Sequence, residues 1–246
     1  MGRFFVAKES VYDGEAVISG DEARHMIEVM RLENGDNVVV FDGEGSEYRG
    51  TVKNADRKKM TLTVSINDVK NFPPEEFPRI TLAQAIPKKN KMDLIVEKAT
   101  ELGVHRIVPI ITERTIVRPD KRNSSKVTER WKRIALETSK QCGRQRTPEI
   151  SGTVFFREVI GTVKNYDLSL LACLDTRTVP IKRALPSPVP KNVLVIIGPE
   201  GDFSPPEIEN AEEERCILVS LGKRVLKSDT AGLFVISIIG YEGGDC

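Results

Sequence analysis

The sequence between residues 193 and 231 constrains the fold most, because it holds two apolar runs that each end at a glycine. Residues 193–197 (VLVII) are followed at once by GPEG at residues 198–201, and residues 216–221 (CILVSL) are followed by Gly222. Short continuous apolar runs are typical of buried strands in parallel sheets, and glycine lets backbone groups approach a ligand closely. Each loop alone is consistent with an ordinary strand exit. The pair predicts a ligand-binding edge of a sheet.

Composition excludes several classes of protein. The chain has 246 residues, enough for one large or two modest domains, and 39% hydrophobic and 30% charged residues are typical of a soluble globular protein. Four cysteines without a CxxC pair and only two histidines argue against a metal site and favour a reducing, cytoplasmic location. The sequence shows neither a signal-peptide pattern nor an apolar run of membrane-spanning length, so no membrane association is expected.

Basic side chains are concentrated in the middle of the chain. Residues 73–150 carry 17 basic and 10 acidic side chains, a net charge of +7, whereas the segments on either side each have a net charge of −3. The excess is greatest over residues 114–146, where 11 basic side chains stand against 3 acidic ones. A solvated helix face and a nucleic-acid contact explain such a run about equally well.

Residues 1–72 are predicted to form a small β-barrel with one helix. DGEG at residues 42–45 predicts a hairpin turn within a series of strand-like runs, which cover residues 4–7, 16–18, 38–41, 48–52 and 60–64. Ser19 and Glu22 predict a capping box that opens a helix through Arg31. That helix would bring Arg24, His25 and Arg31 near one another.

The proline-rich sequence NFPPEEFP at residues 71–78 is the predicted linker. Beyond it the chain is predicted to form an α/β domain with a mainly parallel sheet, because buried runs alternate with helices. The runs not yet mentioned cover residues 80–86, 107–111 and 168–174. Asn90 is predicted to cap a helix that ends at Gly103, and Ser124 or Ser125 to open another that ends at Gly143.

The last apolar segment, residues 233–239 (LFVISII), has two interpretations. Its β-branched residues favour a strand. TAG at residues 230–232 suits the start of a helix, and burial can override propensity. Local sequence leaves both open.

Motif comparison leaves an organic cofactor as the best candidate ligand. The sequence contains no GxxxxGK[ST], GxGxxG, GxSxG or HExxH motif, which argues against the enzyme classes that these motifs mark. The two glycine loops, with Leu174 and Asp175 at a third strand end, can hydrogen-bond an adenine edge. Apolar walls would come from Ile197, Leu221, Val225 and Leu226.

GPEG at residues 198–201 and LGxRVL at residues 221–226, followed by Thr230 and Ala231, resemble the C-terminal signature of the RsmE family. The likeness covers nearly the whole chain in matching order and spacing, and it includes residues 25–31, 41–43, 91–104, 113–114 and 131–149. Members of this family are SPOUT-class enzymes that use S-adenosylmethionine to methylate N3 of a uridine in 16S ribosomal RNA.

The resemblance implies a PUA-like RNA-binding β-barrel over residues 1–72 and a SPOUT α/β methyltransferase domain with a C-terminal trefoil knot over residues 73–246. It also implies a helix over the last segment, a homodimer, S-adenosylmethionine as cofactor, and 16S ribosomal RNA in the small ribosomal subunit as partner. The implied cofactor-binding residues are Leu171, Leu174, Asp175, Ile197, Gly198, Pro199, Glu200, Gly201, Leu221, Gly222, Val225, Leu226 and Ser228.

Arginines are the predicted catalytic residues, because a guanidinium stabilises the anionic uridine that forms when N3 loses its proton. The candidates are Arg3, Arg144 and Arg224. Glu200 is interpreted as a carboxylate that accepts backbone amides, and Trp131 as a core residue.

RNA contact is predicted for a set of basic side chains. For His25 and Arg31 a structural role on the helix surface fits equally well, and a solvated strand exit is the plain alternative for Lys88 and Lys89. The full set is Arg24, His25, Arg31, Lys88, Lys89, Arg114, Arg118 and Arg146.

The chain departs from the family pattern in two places. The family usually has a second glycine where this chain has Asp202, and Arg-x-Glu-Thr where it has KSDT at residues 227–230. Lys227 keeps the charge but lacks the planar fork of arginine. Phosphate or base recognition near Lys227 therefore follows less directly from the resemblance than the cofactor loops do.

Two other functions fit the same architecture. One is a non-catalytic RNA-binding assembly factor, which would lack affinity for the cofactor. The other is a SPOUT methyltransferase that acts on tRNA, which differs in the nucleotide that becomes methylated.

Overall fold

The computed structural model describes residues 2–73, 78–89, 91–118 and 123–244. The chain folds into two compact units, Met1–Pro74 with Leu136–Thr147, and Glu75–Ala135 with Pro148–Cys246. The domain boundary at residue 72 stays a prediction, and the first unit takes in a later segment that the sequence assigned to the second domain. Residues 74–77 of the predicted linker and the predicted cap Asn90 lie outside the described residues.

The first unit contains a six-stranded sheet that includes all five runs predicted in residues 1–72. Its strands are β1 Arg3–Phe5, β2 Val11–Tyr12, β3 Glu15–Ser19, β4 Asn37–Phe41, β5 Ser46–Asp56 and β6 Thr61–Asn71. The order in the sheet is β1-β4-β5-β6-β3-β2; β1 and β4 are parallel, and the other neighbours are antiparallel. Buried side chains such as Phe4, Val40 and Leu62 form its core.

The helix of the first unit begins directly after Ser19, as predicted, but it lacks the predicted capping box and ends earlier than predicted. Helix α1 covers Gly20–Arg24 and continues as a π-helical turn, His25–Val29, so it ends before Arg31. Ser19 makes no side-chain cap. The predicted capping box is wrong because the Glu22 carboxylate has other donors: the backbone N–H of Phe5 and the Lys140 ammonium, each at 2.8 Å.

The second unit alternates strands with helices, as predicted. Its strands are β7 Arg79–Ala85, β8 Arg106–Ile111, β9 Glu149–Ile150, β10 Val154–Phe155, β11 Leu168–Ala172, β12 Val179–Pro180, β13 Asn192–Ile197 and β14 Ile217–Ser220. Its helices are α2 Lys91–Glu101, α3 Ser124–Cys142, α4 Phe156–Ile160, α5 Ile181–Ala184, α6 Pro205–Glu213 and α7 Ser228–Gly243. The last residues of α3, from Leu136, belong to the first unit.

The sheet of the second unit is parallel throughout its pairings. Its order is β10-β8-β7-β13-β11-β14-β12, with β9 beside β8. Buried clusters cover both faces, which explains the continuous apolar runs in the sequence. The two-residue strands β9, β10 and β12 were not predicted, because two residues carry no periodicity.

The last apolar segment is helical, as the resemblance implies. Val235, Ile236 and Ile239 of α7 are fully buried in the cluster that includes β7, β13 and α2. This burial outweighs the β propensity of the segment. The trefoil knot stays a prediction.

Candidate cofactor and RNA-binding sites

Three strands of the second unit end beside one another. β11 lies between β13 and β14, and Ala172 at its end is opposite Ile197 of β13 and Val219 of β14. All three strands run in the same direction, so the loops that follow them meet at one edge of the sheet. This is the edge at which parallel α/β sheets bind ligands.

These loops surround a cavity of about 250 Å³. Many predicted cofactor residues line it: Leu174, Ile197, Gly198, Pro199, Glu200, Leu221, Gly222, Val225, Leu226 and Ser228. The predicted catalytic Arg224 lines it as well. The other lining residues were not among the individually predicted site residues, although the loops implied by the resemblance (171–175, 197–201 and 221–228) include three of them; they are Ala172, Cys173, Asp202, Ser220, Lys227 and Ala231.

The lining suits a ligand with an apolar body and charged ends. Leu174 and Val225 are 68% and 73% exposed, so a ligand in the cavity would cover apolar surface that is otherwise in water. Gly222 has φ of +120°, a conformation that side chains rarely adopt. Carboxylates of Glu200 and Asp202 and the cations Arg224 and Lys227 complete the lining.

A buried hydrogen-bond chain connects the base of the cavity to the sheet. The Ser228 hydroxyl donates to the Gly198 carbonyl at 2.6 Å, and the Gln84 amide donates to the Ser228 hydroxyl at 2.9 Å. Ser228 therefore holds the GPEG loop through its backbone. Sequence reasoning missed Gln84, whose one signal was a polar residue inside the apolar run of β7.

Two side-chain contacts fix the GPEG loop from outside. Glu200 accepts the backbone N–H of Lys88 at 3.0 Å, which agrees with its interpretation as an acceptor of backbone amides. The Arg114 guanidinium donates to the Gly201 carbonyl at 2.8 Å. Arg114, predicted to bind RNA, thus has a structural contact beside the cavity.

Three predicted cofactor residues lie outside the cavity lining. The Leu171 side chain is buried in the core cluster on one face of the sheet. Gly201 contacts Arg114 instead. Asp175 holds Arg177 through two side-chain hydrogen bonds of 2.9 and 3.0 Å, and this guanidinium lowers the pKa of Asp175 to about 2.

A larger cavity, about 480 Å³, lies elsewhere in the second unit. Its lining comes from the end of β8, the start of α4 and the first turn of α6, and it includes Phe155, Phe156 and Arg118. The smaller cavity is the better cofactor candidate, because three strand-end loops and both glycine motifs meet there.

The Arg3 side chain is held by several contacts within the first unit. Its guanidinium donates to the carbonyls of Ser139 (3.2 Å) and Arg144 (2.6 Å) and to the side chain of Gln145, and it lies 3.9 Å from the centre of the Phe41 ring. Burial lowers its pKa. A substrate would have to displace these acceptors, so the geometry disfavours the predicted catalytic role. Arg144 is half-buried in the same unit.

Arg3→Ala is expected to lower the free energy of unfolding by about 2–3 kcal/mol, because several acceptors lose a charged donor. Arg49→Ala is the matched control: Arg3 and Arg49 both pair with the Glu47 carboxylate, at 3.7 and 3.5 Å, but the Arg49 side chain is 60% exposed. It should change stability by less than about 0.5 kcal/mol. Urea denaturation followed by circular dichroism measures both. An Arg3→Ala protein of normal stability that has lost turnover would restore the catalytic hypothesis.

Comparison with known proteins identifies the family. Residues 74–240 match the family described as RNA methyltransferase domain, and residues 18–65 match the one described as RNA methyltransferase PUA domain. The Ribosomal RNA small subunit methyltransferase E of Aquifex aeolicus (strain VF5) is 31% identical over 91% of this chain and 93% of its own. The chain belongs to the RsmE family.

Solved structures agree with this assignment. A putative methyltransferase from Legionella pneumophila, in complex with its cofactor SAM, has a TM-score of 0.86 and 30% identity, with 97% of this chain and 96% of that one covered. The Ribosomal RNA small subunit methyltransferase E of Neisseria gonorrhoeae, bound to S-adenosyl methionine, has a TM-score of 0.84 and 26% identity, with 98% and 97% covered. The predicted fold class, a PUA-like domain followed by a SPOUT domain, is that of the RsmE family.

The first unit presents one group of predicted RNA-binding residues. Arg24, His25 and Arg31 are exposed on or just after the helical segment, and Val29 and Met30 beside them are 64% and 45% exposed. This surface offers cations next to apolar side chains, the combination that binds single-stranded RNA.

The other predicted RNA-binding residues are divided between the two units. Lys88 and Lys89 are exposed after β7. Arg118 is exposed and its guanidinium lies 3.4 Å from the carbonyls of Glu113 and Thr115. Arg146 donates to the Phe72 carbonyl at 3.2 Å within the first unit, so at least one of its donors is used in the fold.

Within the described residues, no helix has both the length and the apolar character needed to cross a membrane. The same part of the chain holds no group of three or more His, Cys, Asp or Glu side chains placed to bind a metal ion.

Proposed function

We propose that this protein uses S-adenosylmethionine to methylate N3 of a specific uridine of 16S ribosomal RNA in the small ribosomal subunit. The observation that carries the proposal is the cavity at the ends of β11, β13 and β14, in a chain of the RsmE family. Its apolar walls suit an adenosyl group, and the Glu200 carboxylate and the Lys227 ammonium suit the ammonium and carboxylate of a methionine moiety.

The residues around the cavity have different roles in the proposed reaction. S-adenosylmethionine, when bound, supplies an electrophilic methyl group. The loops after β11, β13 and β14 hold the cofactor, and Ser228 with Gln84 keeps the GPEG loop in place. Arg224 stabilises the negative charge that develops on the uracil ring as N3 gives up its proton to solvent. N3 then forms a bond to the methyl carbon as the bond from that carbon to sulfur breaks, and S-adenosylhomocysteine is released. Because Arg224 is exposed in the cavity lining, its guanidinium is accessible to a base that enters from solvent.

RNA binding uses both units. Arg24, His25 and Arg31 contact RNA from the first unit, while Lys88, Lys89, Arg114 and Arg118 contribute from the second. The target uridine must leave its stack for N3 to reach the methyl group.

The proposed function can be tested with small ribosomal subunits that lack the N3 methylation. Wild-type protein should bind S-adenosylmethionine in calorimetry and transfer labelled methyl to these subunits. N3 methylation blocks Watson–Crick pairing, so reverse transcription should stop next to one uridine. RNA binding without cofactor binding would instead indicate an assembly factor, and methylation of tRNA alone would indicate the other SPOUT activity.

We also propose that the protein is a cytoplasmic homodimer. Helices α2 and α7 pack against each other and expose apolar side chains, with Leu94, Phe234 and Tyr241 at 46%, 39% and 71% exposure. A second copy of the chain would cover this surface. Sedimentation velocity at micromolar concentration tests the dimer, and the cytoplasmic location follows from the proposed ribosomal substrate.

A further inference from the structure

Asp202 connects two of the loops that form the cavity. Its backbone has φ of +58°, and its N–H donates to the Pro199 carbonyl at 3.0 Å, which closes the turn. The carboxylate reaches across to the neighbouring loop and accepts the backbone N–H of Leu174 at 2.8 Å. Asp202 and Leu174 both line the cavity.

The position of Leu174 in the chain gives this contact its importance. Strand β11 ends at Ala172. One residue later, the Cys173 N–H still donates a hydrogen bond to the Val219 carbonyl of the neighbouring strand β14, at 3.3 Å. Leu174 therefore lies beyond the strand pairing, where the Asp202 carboxylate holds its amide. Its side chain is exposed, so packing contributes little to its position.

We propose that Asp202 is a positioning residue. It holds the loop after β11, which contains Leu174, against the GPEG loop and so preorganises the cofactor cavity. The inference rests on the proposed function only for the identity of the ligand. A loop fixed in its binding geometry before the ligand arrives loses less conformational freedom on binding. Removing the bond should weaken cofactor binding without slowing methyl transfer in the saturated enzyme.

The competing explanation for a role of Asp202 in cofactor binding is a direct contact of its negative charge with the cofactor. Two variants distinguish this explanation from positioning of the loop. Asp202→Asn keeps an oxygen acceptor and removes the charge, and asparagine tolerates positive φ. Asp202→Gly keeps the backbone conformation and removes the acceptor. Positioning predicts that only the glycine variant is impaired, whereas a charge contact predicts that both are.

The experiment measures the Leu174 amide and the cofactor affinity separately. In Asp202→Gly, hydrogen exchange at the Leu174 N–H should accelerate about tenfold, and the Kd for S-adenosylmethionine should rise about three- to tenfold. Asp202→Asn should stay within about twofold of wild type in both. Turnover at saturating cofactor should change by less than about twofold in both variants.

Asp167→Asn is the matched control. The Asp167 carboxylate accepts the backbone N–H of Asn192 at 2.9 Å, between the starts of β11 and β13 at the opposite edge of the sheet. Its loss of charge should leave cofactor binding unchanged.

Unchanged exchange of the Leu174 amide in Asp202→Gly would overturn the proposal, as would equal loss of affinity in the Asn and Gly variants. Failure of wild-type protein to bind S-adenosylmethionine would overturn the proposed function instead. In that case the exchange measurement would still decide whether Asp202 holds the loop.

Discussion

Arg224→Ala is expected to lower the turnover of RNA methylation about 100-fold while changing the Kd for S-adenosylmethionine by less than about threefold. Arg224 is the candidate catalytic arginine whose side chain lines the cofactor cavity. Its positive charge is needed as the uracil ring becomes anionic. The substitution should therefore lower the rate of the methyl-transfer step rather than the affinity for the cofactor. Single-turnover methylation of undermethylated small subunits at saturating cofactor measures it.

The pH dependence of Arg224→Ala gives a second test of the same role. Raising the pH increases the fraction of uridine that is already anionic, and a stabilising guanidinium is then less necessary. The ratio of wild-type to variant turnover should therefore narrow as the pH rises. A role in holding the cofactor would leave that ratio constant.

Lys223→Ala is the control for loss of a cation from the same loop. Lys223 is exposed and adjacent in sequence, and it is not among the residues that line the cavity. Its removal should change turnover by less than about twofold. Turnover of Arg224→Ala within threefold of wild type would refute the assigned role, and a parallel loss of cofactor affinity would reassign Arg224 to cofactor binding.

The sequence predicted the sheet of the second unit well because its strands are buried on both faces. In β13 all residues after Asn192 are buried, so the run is continuous and easy to detect. The glycine loops could be located because they follow such runs directly. Helix α7 could not be assigned from local sequence, since its conformation depends on packing against β7, β13 and α2.

Side-chain direction and long-range contacts explain why some predicted site residues do not line the cavity. Successive residues of a strand point to opposite faces, and the resemblance identified a segment without distinguishing Leu171, which enters the core, from Ala172, which lines the cavity. Arg3 could not be recognised as structural, because its acceptors Ser139 and Arg144 lie more than a hundred residues away in sequence. Such contacts exist only in the folded chain.

Phe203→Ala is expected to destabilise the protein by about 3–5 kcal/mol and to weaken cofactor binding about tenfold. Phe203 is 1% exposed, and its ring packs on the backbone of Gly198, where an added Cβ would lie 3.0 Å from the ring. Truncation leaves a cavity under the GPEG loop. Without the Phe203 ring, the backbone of the GPEG loop is no longer held in the position in which it lines the cofactor cavity.

Phe156→Ala separates this local effect from general destabilisation. The Phe156 ring is 5.4 Å from that of Phe203, centre to centre, and belongs to the same buried cluster, but it is not among the nearest neighbours of Gly198. Its truncation should cost a similar free energy of unfolding in urea denaturation, with a change of less than about threefold in cofactor affinity at a temperature where both variants are folded. Equal weakening of cofactor binding in the two variants would show that overall stability, rather than support of the GPEG loop, controls the affinity.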